Sequence, residues 1–330
     1  MFYLQSILTM TTTMTPESVS IYKLLDWIDI DKLNWRGLSR NPNAIHLLEK
    51  NLERIHWELL SGNPNATQIL EKKPRKIDWN ILSANPNAIQ LLEKKIRKID
   101  WEELSANPNA IQLLEKYPEK IEWEELSANP NAIQLLEKYP KKIEWRWLSR
   151  NPNAIHLLEK NPEKIDWEWL SSNINAIHLF ENNLEKLSWG GVAENPNAIH
   201  LLERNPEKIY WELLSGNPNA IHLLERNPEK IEWITLHLND NGLKLLEKHP
   251  EKIDWEWLSS NINAIHLLEK NQEKINWCSL SSNPSIFRKV VNYEFLKKRM
   301  DMIREELMMK CMHPSRLERF LEMGGDIDDF

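Results

Sequence analysis

Twelve tryptophans, from Trp35 to Trp277, fall 22 residues apart without a single insertion or deletion. A strict period of this length allows few folds. One 22-residue unit is too small to bury a core of its own, so each must bury its apolar face against the units before and after it. With the Trp as position 1, the unit reads W-x-x-L-S-x-N-P-N-A-I-[HQ]-L-L-E-K-N-P-E-K-I-[DE]. Position 7 is Asn in all twelve units, Asn41 to Asn283, and position 4 is Leu except at Val192. Position 15 is Glu in the eleven complete units, Glu49 to Glu269. This constancy within one chain reports a shared structural need or recent duplication.

The local chemistry is read in the unit that begins at Trp145. Asn151 and Pro152 form a helix-start signature, because Asn accepts a free N–H and Pro has no N–H to leave unpaired. Ala154, Ile155, Leu157 and Leu158 continue the helix until Pro162 stops it. The expectation is a helix over about residues 152–160. Asn161-Pro162-Glu163-Lys164 reads as a turn, and Asp166 caps a second short helix over 167–171. Neither helix would be stable alone at this length. The expected inward set is Trp145, Leu148, Ala154, Ile155, Leu158 and Ile165, each packed on its copies in neighbouring units. The fold class is therefore all-α: an α-solenoid of twelve 22-residue two-helix repeats with a C-terminal helical cap. With stacked helices about 8–10 Å apart, an open array would extend on the order of 100 Å.

A leucine-rich-repeat horseshoe is the rival. The step Leu170-Ser171-Ser172-Asn173 mimics its L-x-x-N, but the upstream strand motif is missing. The Asn at position 7 has two readings, a ladder that satisfies loop backbone groups from unit to unit or a simple N-cap in each unit.

The ends depart from the unit. Residues 1–20 show no packing pattern and are expected to be flexible. Residues 21–34 look like the back half of a unit, an N-terminal half-repeat cap. The solenoid covers 35–287, and 288–330 form a C-terminal helical cap with an acidic tail. Tyr293, Leu296, Met300, Ile303 and Leu307 put one longer amphipathic helix within Phe287–Cys311. Ser315 caps a last helix through Met323, ended by Gly324-Gly325. MFYLQSILTM is apolar but short and lacks a basic leader, so no signal peptide is expected. No apolar run approaches the ~20 residues that span a bilayer.

Lys and Arg number 42 against 49 Asp and Glu, a formal charge of −7. That balance argues against sequence-independent nucleic-acid binding, which needs an excess of cations. Cys278 and Cys311 lack metal-type spacing. A reduced intracellular chain is the preferred reading and a disulfide between them the alternative. His recurs at position 12 (His46, His156, His178, His200, His222, His266), but Gln replaces it in four units and successive helices are too far apart to share a metal ion. The position-15 Glu column is followed by Lys or Arg and reads as a solvated face. No catalytic set, phosphate loop or calcium loop stands out, so no enzyme activity, cofactor or metal is expected.

The repeat-phase tryptophans are read as core. Trp147, Trp169 and Trp257 differ, because they occupy position 3, off the face shared by positions 1 and 4. Positions 2, 3 and 6 vary while the frame stays fixed, and exposed Trp and Arg are favoured interface anchors. The candidate partner-binding residues are Arg146, Trp147, Trp169 and Trp257, with drift or extra lateral packing as the alternative.

The units NPNAIHLLE and KIDWxxLSxN, with MHPSRLERFLEMGGDIDDF at 312–330, resemble tandem-repeat proteins encoded by giant double-stranded DNA viruses of protists. The resemblance spans roughly 35–287, and the C-terminal segment resembles a tail on other proteins of such viruses. Units seven and eleven depart from the motif with Ile174 and Ile262 for Pro, and unit ten departs most, with HLNDNGLKLLE. The resemblance implies a protein in the host cytoplasm or the virion that binds host or viral proteins, and it carries over no functional residues. The expected function is thus a non-catalytic protein-binding scaffold whose partner is a host or viral protein, with no nucleic acid and no membrane. The alternative is a structural virion or assembly component that packs laterally by self-association.

Overall fold

A computed structural model describes residues 20–311 and 313–324. Leu25–Phe287 forms one compact unit that contains all the repeats. The twelfth repeat has an A helix alone, and the first eleven each have an A helix of four to six residues from position 1 and a B helix of four to six residues from position 11, as in Trp145–Arg150 and Ile155–Lys160. A 3-10 turn, here Pro162–Lys164, links it to the next unit. The fold is the all-α repeat solenoid.

The sequence explains these elements with some shifts. Asp166 caps its A helix, accepting from the Trp169 amide at 3.2 Å. The B helix begins at Ile155 rather than Pro152. The Asn151 side chain accepts from the Asn153 amide at 3.0 Å, and the Ala154 amide bonds back to the Asn151 carbonyl at 3.2 Å. These bonds wind the first turn too tightly for an α-helix. The later start changes the core: Ala154, Leu157 and Leu158 are buried, while Ile155 is only half-buried. Positions 10, 13 and 14 share one face by three- and four-residue spacing.

The repeat-phase tryptophans are not fully buried either; all twelve are half-exposed. In several units a side chain from position 20 or 17, in or beside the 3-10 turn of the same unit, covers the ring. The Lys164 Nζ sits 4.5 Å from the Trp145 ring centre, Arg54 covers Trp35 at 4.2 Å, and Tyr117 packs on Trp101 at 5.5 Å. The indole is thereby shielded by an aliphatic stem and a cation at once.

The position-7 Asn serves as both ladder and cap. The Asn151 side-chain amide donates to the carbonyls of Ser127 and Asn129 in the preceding unit at 3.0 and 2.8 Å, while its oxygen caps its own turn. Position 5 adds a second rung. The Ser149 hydroxyl donates to the Trp145 carbonyl at 2.8 Å and accepts the Asp166 amide at 3.0 Å. Buried backbone groups between helices too short to satisfy them are paired in this way.

The array does not extend; it closes. The first A helix, Trp35–Arg40, packs against the twelfth, Trp277–Ser282. Asn41 donates to the Ser281 and Asn283 carbonyls at 3.1 and 2.9 Å, and the Ser281 hydroxyl accepts the Asn34 amide at 2.8 Å. These are the bonds that join most internal units, as Asn151 and Ser127 show for units five and six. The twelfth unit is composite: it has no B helix, and residues just before Trp35 replace its second half. Lys32 covers Trp277 at 5.0 Å as Lys164 covers Trp145, Leu33 is buried, and the Leu25 amide bonds to the Ile286 carbonyl at 2.9 Å. Twelve units closing a circle rotate about 30° each, the small per-repeat rotation that curves solenoids in general.

The described residues outside this ring form the second unit. Its strands β1 (Ser20–Leu24) and β2 (Phe287–Val291, whose first residue belongs to the ring) pair in a two-stranded sheet. Both segments differ from expectation, which placed repeat-like structure at 21–24 and helix from Phe287. Their β-branched and aromatic residues, Ile21, Tyr22, Phe287, Val290 and Val291, suit a pleated surface better. Helices follow at Tyr293–Cys311 and Pro314–Glu322, the second ending near Gly324, whose φ of 84° is the left-handed value expected there. The flexible segment expected at 1–20 lies, except for Ser20, outside the described residues, as does the acidic tail from Gly325.

Candidate interaction surface on the inner wall

In a closed ring, equivalent points of successive units approach more closely at smaller radius. Neighbouring A helices pack directly on one another. The Cβ that would replace a Gly37 hydrogen would sit 2.8 Å from the Ser281 Cβ, so a larger residue there requires the neighbouring helix to move. The B helices are bridged by long side chains instead, Lys94 to Glu71 at 2.9 Å and Lys116 to Glu93 at 2.8 Å. The A helices therefore form the inner wall. At about 8–10 Å spacing, twelve of them describe a circle roughly 30–40 Å across between axes.

Positions 4 and 5 of each A helix face the core and are buried. Positions 2, 3 and 6 lie on the opposite side, so the variable stripe of the A helices lines the inner wall, with position 3 turned partly toward the neighbouring unit, where Gly37 and Leu59 are buried. Arg146, Trp147 and Trp169 come together there. The two indoles, from adjacent units, lie 5.4 Å apart between ring centres at 38°. The Arg146 guanidinium lies 5.3 Å from the Trp169 ring centre. Arg150, at position 6 of the same unit, lies 5.5 Å from that ring and completes the cluster. The sequence signal for Arg150 was its place on the variable stripe beside Trp147. Trp257 is not part of this cluster. It sits four units beyond Trp169 on the same wall, about a third of the way round the ring, and is 42% exposed. Trp147 and Trp169 are half-buried because each covers the other, which makes lateral packing one of their roles.

The wall beside the cluster is acidic. Glu102 and Glu103 from unit four adjoin Glu124 and Glu125 from unit five. Partial burial, then repulsion from Glu102, Glu103 and Glu124, holds the Glu125 carboxyl above its ordinary range. Outside the ring, four position-12 histidines, His156, His178, His222 and His266, pair with position-15 glutamates of the preceding unit, His156 with Glu137 at 3.1 Å and His222 with Glu203 at 2.9 Å. Among the described residues no three His, Cys, Asp or Glu side chains converge as a metal site would require, and Cys278 is exposed. Among them, too, no helix is long and apolar enough to cross a membrane.

No family model, curated protein or solved structure matches the chain. The fold and the wall by themselves define a class: a closed α-helical repeat ring with a constant frame and a variable inner surface.

Proposed function

We propose that the protein is a non-catalytic scaffold that binds a protein partner, host or viral, on the inner wall of its ring. The observation that carries this reading is the convergence of Trp147, Trp169, Arg146 and Arg150 on the variable stripe of the A helices. Tryptophan and arginine dominate binding energy at protein interfaces, because a flat aromatic or guanidinium group excludes water over a large area at little cost in entropy. A circle of the estimated width admits an α-helix about 10–12 Å thick. The Glu-rich stretches of the same wall and the net charge of −7 favour a polypeptide over a nucleic acid.

The test is capture of partners by the full chain and by the triple variant Trp147→Ala/Trp169→Ala/Trp257→Ala, with capture from infected cells read by mass spectrometry. Loss of specific partners from a folded, soluble variant supports the reading. Retention of every partner refutes it. Light scattering on the purified chain addresses lateral self-assembly, which requires a mass that rises with concentration.

A further inference from the structure

A second surface stands out on the rim formed by the 3-10 turns, where positions 16, 19 and 20 are exposed. Most units read K-N-P-E-K or a close variant there, with one Glu among the cations. Units two to five differ, three of them by a cation in place of that Glu and unit four, which keeps it as Glu119, by Tyr117. They read KKPRK (72–76), KKIRK (94–98), KYPEK (116–120) and KYPKK (138–142). The first two stretches hold four cations each and no anion, and the last holds three. All of these charged side chains are exposed. Only Lys94 and Lys116 are taken up by interhelical ion pairs, with Glu71 and Glu93. Units two to five stack through the same paired Asn bonds, so the four stretches form one arc, with Glu119 its single acidic position 19. Glu53 and Glu163, at position 19 of units one and six, bound it on either side.

We infer that this arc is a docking site for an acidic polypeptide segment. Charge complementarity requires an anionic occupant, and the surroundings select among anionic classes. A flat anionic membrane would meet the whole rim, and with it the position-19 glutamates of seven other units, such as Glu185, Glu207 and Glu229, which it would repel. A single-stranded nucleic acid needs open aromatic faces for its bases. The arc's aromatics are engaged, Tyr117 on Trp101 at 5.5 Å and Tyr139 on Trp123 at 5.4 Å. A long duplex would run off the arc onto a chain with a net charge of −7. A short, flexible run of carboxylates follows the curve of four units and meets lysines, whose mobile point charges need no planar partner. This site lies away from Arg146, Trp147, Trp169 and Trp257, so it stands or falls independently of the inner-wall reading.

The experiment is fluorescence anisotropy with the full chain and a labelled decaglutamate peptide. A labelled oligothymidylate of the same length and phosphatidylserine vesicles form parallel arms. The variant is Arg75→Glu/Arg97→Glu/Lys141→Glu, which installs the residue that Glu119 and Glu163 already occupy in other units, so the turn accepts it. Decaglutamate is expected to bind the wild type, to be released by salt, and to bind the variant at least about tenfold more weakly. The single change Arg97→Gln gives a smaller loss. Trp147→Ala/Trp169→Ala/Trp257→Ala leaves this binding unchanged. Equal peptide binding by wild type and charge variant overturns the proposal. So does tighter binding of the oligonucleotide than of the peptide, or sedimentation with the vesicles.

Discussion

The side-chain amide of Asn41 donates to the backbone carbonyl of Asn283 at 2.9 Å, across 242 residues of chain. Within the array the same bond joins Asn151 to Asn129 at 2.8 Å, 22 residues apart. The closing interface is thus chemically one more repeat interface, and no unit is left to cap an apolar end. An open solenoid needs polar terminal repeats for that purpose. Here the residues before Trp35 and the last unit cover each other, and both ends of the array are buried by the same contact.

Closure makes the seam a point of vulnerability. At Gly37 an added Cβ would lie 2.8 Å from the Ser281 Cβ and 3.2 Å from the Ser282 amide nitrogen. Gly37→Leu should force the first and twelfth A helices apart and cost on the order of 1–3 kcal/mol, as overpacking does. Small-angle scattering should show a larger radius of gyration, as a ring opening at its seam requires. An unchanged radius together with an unchanged melting temperature would show that the seam yields without opening.

The ladder predicts an ordering of substitutions at one site. Asn151 donates to two carbonyls of the preceding unit and caps its own turn. Asn151→Ala should cost about 2–4 kcal/mol, because buried acceptors and an amide lose their partners. Asn151→Asp keeps the capping oxygen and removes the donor, turning a carboxylate toward the Ser127 and Asn129 carbonyls. At neutral pH its urea midpoint should fall below that of the Ala variant. The reverse order would mean that capping outweighs the ladder.

Position 5 offers a gain of stability. Unit eight has Ala193 where most units have Ser, and Ala193 is fully buried. Ala193→Ser should let a hydroxyl bridge the Trp189 carbonyl and the Tyr210 amide, raising stability by roughly 1 kcal/mol. Unit ten has solved the same problem differently. His237 lies against the Trp233 carbonyl through Nδ1 and accepts the Asp254 amide at Nε2, at 2.9 Å. His237→Ser should therefore be nearly neutral and His237→Ala destabilising by about 1–3 kcal/mol. Thermal unfolding of the three variants checks the set.

Much of this was legible because it is local. Asp166 as a cap, Pro162 as a stop and the buried Leu148, Ala154 and Leu158 follow from residue chemistry within one unit. The core role of Leu157 was missed because the B helix was started at Pro152, which turned the predicted face toward Ile155. The half-exposure of the repeat-phase tryptophans depends on Lys164 and its counterparts folding back over the ring, a contact between ends of a unit that periodicity does not report. Ring closure was not legible at all. It is the sum of twelve rotations of about 30°, and no single unit encodes that sum. Without closure, positions 2, 3 and 6 could be recognised as variable but not placed on an inner wall.

That wall carries a titration of its own. The Glu125 carboxyl is held above the usual range by partial burial and then by Glu102, Glu103 and Glu124. A raised carboxyl pKa means that the folded ring binds this proton more readily than the unfolded chain does. The site therefore detracts from stability once the pH exceeds the raised value, and the penalty disappears as pH falls below the ordinary carboxylate range. Glu125→Gln should melt at a higher temperature than the wild type at pH 7.5, and the difference should shrink to nothing at about pH 3.5. High salt at pH 7.5 should narrow the same difference, since repulsion among exposed charges is screened. A melting difference that holds constant from pH 7.5 to 3.5 would show that Glu125 acts through its shape rather than its charge.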